Sequence, residues 1–102
     1  MSNFIKVATT DEIPPGQGKV VEVQGRQLAL FNLGGSFYVV DNTCTHAGGP
    51  LGEGVVTGDK VECPWHGASF DVKTGAVLNP PASANVVSYK VRVSGSNVEV
   101  EL

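Results

Sequence analysis

Apolar and polar residues alternate with a period of two along much of the chain, and glycine-bearing turns interrupt the alternation at short intervals. Val21, Val23, Leu28 and Leu30 recur in this way across Lys19 to Gln24 and Arg26 to Asn32, which flank Gly25, and so predict a half-buried hairpin. Gly34-Gly35-Ser36 predicts a turn into a further strand from Phe37 to Asp41. Near the end, Val86 to Val93 and Val98 to Leu102 flank Ser94-Gly95-Ser96-Asn97. Val98, Val100 and Leu102 share one face there and Glu99 and Glu101 the other, the pattern of a second hairpin. Between the two lie shorter candidates: Gly54 to Thr57, a turn at Gly58-Asp59, Lys60 to Glu62, Ala68 to Asp71, a turn through Gly75, and Ala76 to Leu78. No apolar 3.6-residue period persists long enough for a helix. The expectation is an all-β fold of about ten short strands in a sandwich or small barrel.

Composition agrees. Val is the commonest residue with 17 copies and Gly follows with 13, so β-branched packing residues alternate with turn formers. The stretch Asn79-Pro80-Pro81-Ala82-Ser83 cannot be a central strand, because proline lacks the ladder N–H, and reads as a stiff loop. With 102 residues, 41% hydrophobic and 17% charged, and with neither repeat nor linker, the chain reads as one globular domain over residues 1–102. A net charge of -3 and scattered basic residues argue against nucleic acid as a partner. No run of about 18 apolar residues is present and no apolar signal core follows Met1, so no membrane contact and a cytoplasmic location are expected.

The chemistry is concentrated. All cysteines and histidines fall in two short pieces, Cys44-Thr45-His46 and Cys63-Pro64-Trp65-His66, separated by 16 residues. Each offers one thiolate and one imidazole, so two such loops side by side present an S2N2 donor set to one point. Zinc suits these donors chemically, but structural zinc usually pairs Cys with Cys and His with His at close spacing.

Cys-x-His followed by Cys-x-x-His, within the strings CTHAGGPLGEG and CPWHGASFD, resembles the Rieske family. The resemblance implies an antiparallel β-sandwich carrying a small cluster-binding subdomain, about residues 42–83, built from two ligand loops. Leu78 to Ser83 resembles the family's third, proline-containing loop. It further implies one 2Fe-2S cluster, with Cys44 and Cys63 on one iron and His46 and His66 on the other. Gly48, Gly49 and Gly67 are then expected to let backbone N–H groups approach the cluster, a role not expected of Gly52 or Gly54, and Trp65 to shield it or pack in the core.

High-potential members of the family carry an extra cysteine in each loop and a serine and a tyrosine that donate to cluster sulfurs. The matching positions here are Gly49, Trp65, Ala68 and Phe70. The chain thus resembles the low-potential ferredoxins that take electrons from a flavin-containing reductase and deliver them to a terminal oxygenase hydroxylating aromatic rings. It is expected to be a monomeric carrier rather than the oxygenase, since no histidine remains for a mononuclear iron site. The rival readings are the small subunit of a nitrite reductase or another flavoprotein complex, and a zinc-stabilised interaction module without redox function.

Overall fold

The computed structural model describes residues 4–43, 50–64, 68–79 and 84–101. The strands are β1 (Phe4–Thr9), β2 (Gln17–Val23), β3 (Arg26–Leu33), β4 (Ser36–Asp41), β5 (Val55–Thr57), β6 (Lys60–Glu62), β7 (Ser69–Asp71), β8 (Val77–Asn79), β9 (Ser88–Tyr89), β10 (Val91–Ser94) and β11 (Asn97–Glu101). A single 3-10 turn, Leu51–Glu53, is the only helical element among the described residues, and no helix there is long and apolar enough to cross a membrane.

The strands form three antiparallel sheets, ordered β1-β11-β10, β2-β3-β4-β9 and β5-β6-β7-β8. The second sheet is the middle layer. Leu28, Leu30 and Val39 point from it into a core shared with Ala8, Val98 and Val100 of the first sheet. Ala29, Phe31 and Val40 point the other way, into a core shared with Leu51, Val61, Cys63, Ala68, Phe70, Val72 and Val86. Successive strand residues face opposite sides, so the unbroken run Leu28-Ala29-Leu30-Phe31 fills both cores. The hairpin expected to be half buried is therefore buried on both faces along β3, and solvent reaches mainly β2. Phe31 alone, fully buried, is worth about 3–5 kcal/mol against alanine.

The first hairpin turns through Gln24-Gly25, both at positive φ (50° and 78°), the backbone that a two-residue primed turn requires. Gln24 is the only described non-glycine residue in that region, and Gly25 beside it carries no such penalty. The last hairpin is tighter than expected: Ser94 pairs with Asn97, leaving Gly95-Ser96 as the turn.

Val86 to Val93 is not one strand. Val86 packs in the core of the third sheet, β9 pairs with β4, and beyond Lys90 the chain pairs with β11 in the first sheet. Its valines look alike in sequence but serve different layers. β1 was absent from the expected elements. A register shift between Lys6 and Ala8 disrupts its alternation, which hides it from a period-two reading.

Candidate metal centre

The third sheet and the turn before it lie between β4 and β9 in the chain, and both candidate ligand segments depart from this region. Cys44, His46, Trp65 and His66 lie outside the described residues, as do Gly48, Gly49, Gly67 and Pro80 to Ser83. What is described is the frame from which these segments leave.

The first segment, 44–49, leaves from a closed stem. Thr43 and Pro50 form an antiparallel bridge, and the Leu51 N–H donates to the Asn42 carbonyl at 2.7 Å. The Gly52 N–H donates to Asn42 Oδ1 at 2.8 Å, and the Asn42 N–H reaches the Gln27 carbonyl at 3.3 Å. Asn42 is only 3% exposed, so its side chain satisfies a buried donor rather than competing with water.

The second segment leaves from the β6–β7 hairpin. Glu62 pairs with Ser69, and one step further the Cys63 N–H donates to the Ala68 carbonyl at 2.7 Å, leaving four residues to turn. Directly opposed residues project to the same face, so Cys63 and Ala68 point into the core with Val61 and Phe70. Cys63 is 1% exposed and Ala68 and Phe70 are fully buried.

The stems share one support. Leu51 from the first lies in the same buried cluster as Cys63 and Ala68 from the second. Gly54 comes so close to β6 that a Cβ there would collide with the Glu62 carbonyl and lie 2.9 Å from Val61 Cγ2. A Cβ at Gly52 would lie 2.7 Å from Val20 Cγ2 and 2.9 Å from the Val20 nitrogen. Neither glycine is mere loop punctuation; both permit backbone approaches that any side chain would block.

This frame fits a metal cluster. It roots one Cys- and His-bearing segment beside another, and it buries Cys63 among apolar groups, where thiolate charge is costly unless metal neutralises it. Nearby, Tyr89 Oη donates to Asp41 Oδ1 at 2.6 Å, joining β9 to the end of β4 just before the first stem. Burial, and then the hydrogen bond to Asp41 and its charge, push the Tyr89 hydroxyl above its ordinary pKa. Charges of both signs lie at the far end of the small sheet, where Lys60 opposes Asp71 and Lys73 lies 3.5 Å from Asp59. Only Glu62, exposed, adjoins Cys63.

Asn42 had no sequence signal, because an asparagine after Asp41 and before Thr43 looks like an ordinary turn former. Its acceptor role appears only once Gly52 is seen beside it.

The model of the Rieske [2Fe-2S] domain matches residues 3–90. The naphthalene 1,2-dioxygenase system ferredoxin component of Pseudomonas aeruginosa is 40% identical over 99 residues, covering 97% of this chain and 95% of that one. Among solved structures, a chain of the complex of reduced oxygenase and oxidized ferredoxin in carbazole 1,9a-dioxygenase superposes with a TM-score of 0.90 and 34% identity, over 96% of this chain and 92% of that one. A putative NADH-dependent nitrite reductase small subunit from Mycobacterium tuberculosis gives 0.89 at 26% identity, covering 100% of this chain and 96% of that one. With the motif, the sheets and the whole-length likeness agreeing, this chain belongs to the Rieske [2Fe-2S] domain family, and its cofactor is a 2Fe-2S cluster.

Proposed function

We propose that this protein is a one-electron carrier of the ferredoxin kind, which receives electrons from a flavin-containing reductase and passes them to a terminal ring-hydroxylating oxygenase. It is a monomer of one domain over residues 1–102, cytoplasmic, with residues 42–83 as the cluster-binding part. Cys44 and Cys63 hold one iron and His46 and His66 the other. The observation that carries the assignment is the closure of two stems on one buried cluster, each continuing into one cysteine and one histidine.

The donor set explains why such a centre suits a carrier. Two ferric ions, two sulfides and two thiolates sum formally to zero, against about -2 with four thiolates, so an electron is accepted more readily, in line with the higher potentials of His-ligated centres. The protein's part is to hold the donors and keep the Cys63 side shielded from water. With both histidines engaged, the chain transforms no substrate of its own.

Fold alone does not separate this reading from that of a nitrite reductase subunit, since the TM-scores are 0.90 and 0.89. Identity does favour the oxygenase ferredoxins, at 40% and 34% against 26%.

The test is direct. The purified protein should be red-brown and contain two irons and two acid-labile sulfides per chain, and His46→Ala and His66→Ala should each lose or alter the cluster. A colourless zinc protein that cannot be reconstituted with iron and sulfide overturns the assignment. The reduced protein should also pass one electron to a ring-hydroxylating oxygenase in a single-turnover mix. Transfer only to a nitrite-reducing flavoprotein would establish the rival reading.

A further inference from the structure

The two ligand-bearing segments depart from different layers. The first stem is bonded to the middle sheet, through the Asn42 N–H to Gln27 and through the packing of Gly52 on Val20. The second stem belongs to the small sheet, at the ends of β6 and β7. Among the described residues, the Leu51–Gly54 turn lies between the two stems, in backbone-limited contact with β2 on one side and β6 on the other. Asn42 Oδ1 grips the turn at the Gly52 N–H, Gly52 seats the turn on β2, and Gly54 meets the Glu62 carbonyl, one residue before Cys63. Leu51, fully buried between these contacts, anchors the turn in the same core as Cys63 and Ala68.

We propose that the Leu51–Gly54 turn, clamped by Asn42 and seated through its two glycines, is the spacer that sets how far apart the two stems stand, which makes Asn42 and Gly54 positioning residues for the cluster. This rests on the electron-carrier reading above and goes beyond the four ligands. A metal centre demands fixed donor separations, and residues outside the ligand set that hold them tune the centre as well as retain it. At Gly54 a methyl group collides with the Glu62 carbonyl, so the turn and β6, which leads into Cys63, must move apart. At Asn42, loss of the side chain leaves the buried Gly52 N–H without its acceptor, and the turn is free to move.

Asn42→Ala, Gly54→Ala and Asn42→Asp are compared with Val98→Ala, which lies in the other core, across the middle sheet. All are taken through the same cluster-loading procedure. The readouts are iron and sulfide content, electron paramagnetic resonance of the reduced protein, reduction potential and thermal midpoint. Asn42→Ala and Gly54→Ala should change the g-values and shift the reduction equilibrium constant at least threefold, about 28 mV for a one-electron couple, or else hold less than half the cluster. Val98→Ala should lose thermal stability with neither effect. Asn42→Asp keeps an acceptor oxygen and should restore cluster content and g-values, although its added charge lowers the potential.

Should Gly54→Ala fail to fold, the two Asn42 variants decide. A fully loaded Asn42→Ala protein with unchanged g-values and potential overturns the proposal. So does a Val98→Ala protein that shows the same spectral change or cluster loss for the same fall in midpoint. A wild-type chain that takes up no iron-sulfur cluster refutes the carrier reading itself, a result separate from these.

Discussion

Introducing a hydroxyl at residue 68 should raise the reduction potential, and the hairpin geometry indicates by how much. Ala68 stands directly across the β6–β7 ladder from Cys63, with the Cys63 N–H bonded to its carbonyl at 2.7 Å. Opposed side chains in such a pair have Cβ atoms about 4.5–5.5 Å apart on one face, so a serine hydroxyl there is within hydrogen-bonding reach of the Cys63 sulfur. Phe70 pairs with Val61 and is therefore diagonal to Cys63 on the same face, at about 7–8 Å, a separation that an aromatic side chain spans. Both positions are fully buried, so a new donor acts without competition from water.

A hydrogen bond to a charged acceptor contributes roughly 1.5–3 kcal/mol. A one-electron couple moves about 59 mV per tenfold, or 1.4 kcal/mol. The donor favours the reduced, more negative centre, and only its preference for that state counts, so each of Ala68→Ser and Phe70→Tyr should raise the potential by at most about 60–130 mV. The starting value should lie near the low end of the Rieske range, about -150 mV. Protein-film voltammetry at pH 7 measures both. A wild-type potential above about +100 mV refutes the low-potential assignment and the oxygenase-ferredoxin reading built on it. A low starting value that neither substitution raises, in proteins with intact clusters, refutes the hydrogen-bond explanation alone. Thermal midpoints separate two fates of the tyrosine hydroxyl. If it bonds sulfur, the loaded protein keeps its midpoint; if it is stranded in the core, stability falls by about 1–3 kcal/mol.

Three further outcomes follow from the same structure. Gly75→Ala should cost at least about 2 kcal/mol, or about 8 °C or more in thermal midpoint, because Gly75 sits at φ 79° and a Cβ there collides with the Val86 carbonyl; an unchanged midpoint would refute the clash. Tyr89→Phe should remove about 1 kcal/mol, a low value because solvent reaches the pair, as read by denaturant titration at pH 8. Since the folded-state pKa of Tyr89 is raised, the stability from its bond to Asp41 is full below the ordinary tyrosine value of about 10 and is lost as pH rises through the raised one. The wild-type curve should therefore fall more steeply than that of the phenylalanine variant above about pH 10, and parallel curves would refute the linkage.

What could be read in the sequence was the part encoded by residues a few positions apart. The turns at Gly25 and Gly58-Asp59 and the alternation in β11 are local signals, and each led to the observed hairpin, although Gln24 belongs to the first turn rather than to its strand. The donor set was equally legible, because cysteine and histidine are few here and occur nowhere outside the two motif strings. What the sequence hid depends on partners distant along the chain. The run Leu28-Ala29-Leu30-Phe31 does not say that layers cover it on both sides, and the valines from Val86 to Val93 do not say that the chain changes sheets at Lys90.

Gly52 and Gly54 make the distinction sharpest. They are punctuation until Val20 and the Glu62 carbonyl are placed beside them, a relation that spans 32 residues in the first case and crosses a hairpin in the second. Ligand identity and ligand placement are thus encoded differently. The Cys and His residues decide which metal chemistry the chain supports, whereas the separation of their segments is set by close contact between layers, where a single methyl group is felt. A hairpin pair given the two motif strings but no such approach between its layers would hold the right donors at uncontrolled distances. The scaffold residues around Asn42 therefore belong to the electron carrier's working parts as much as the ligands do.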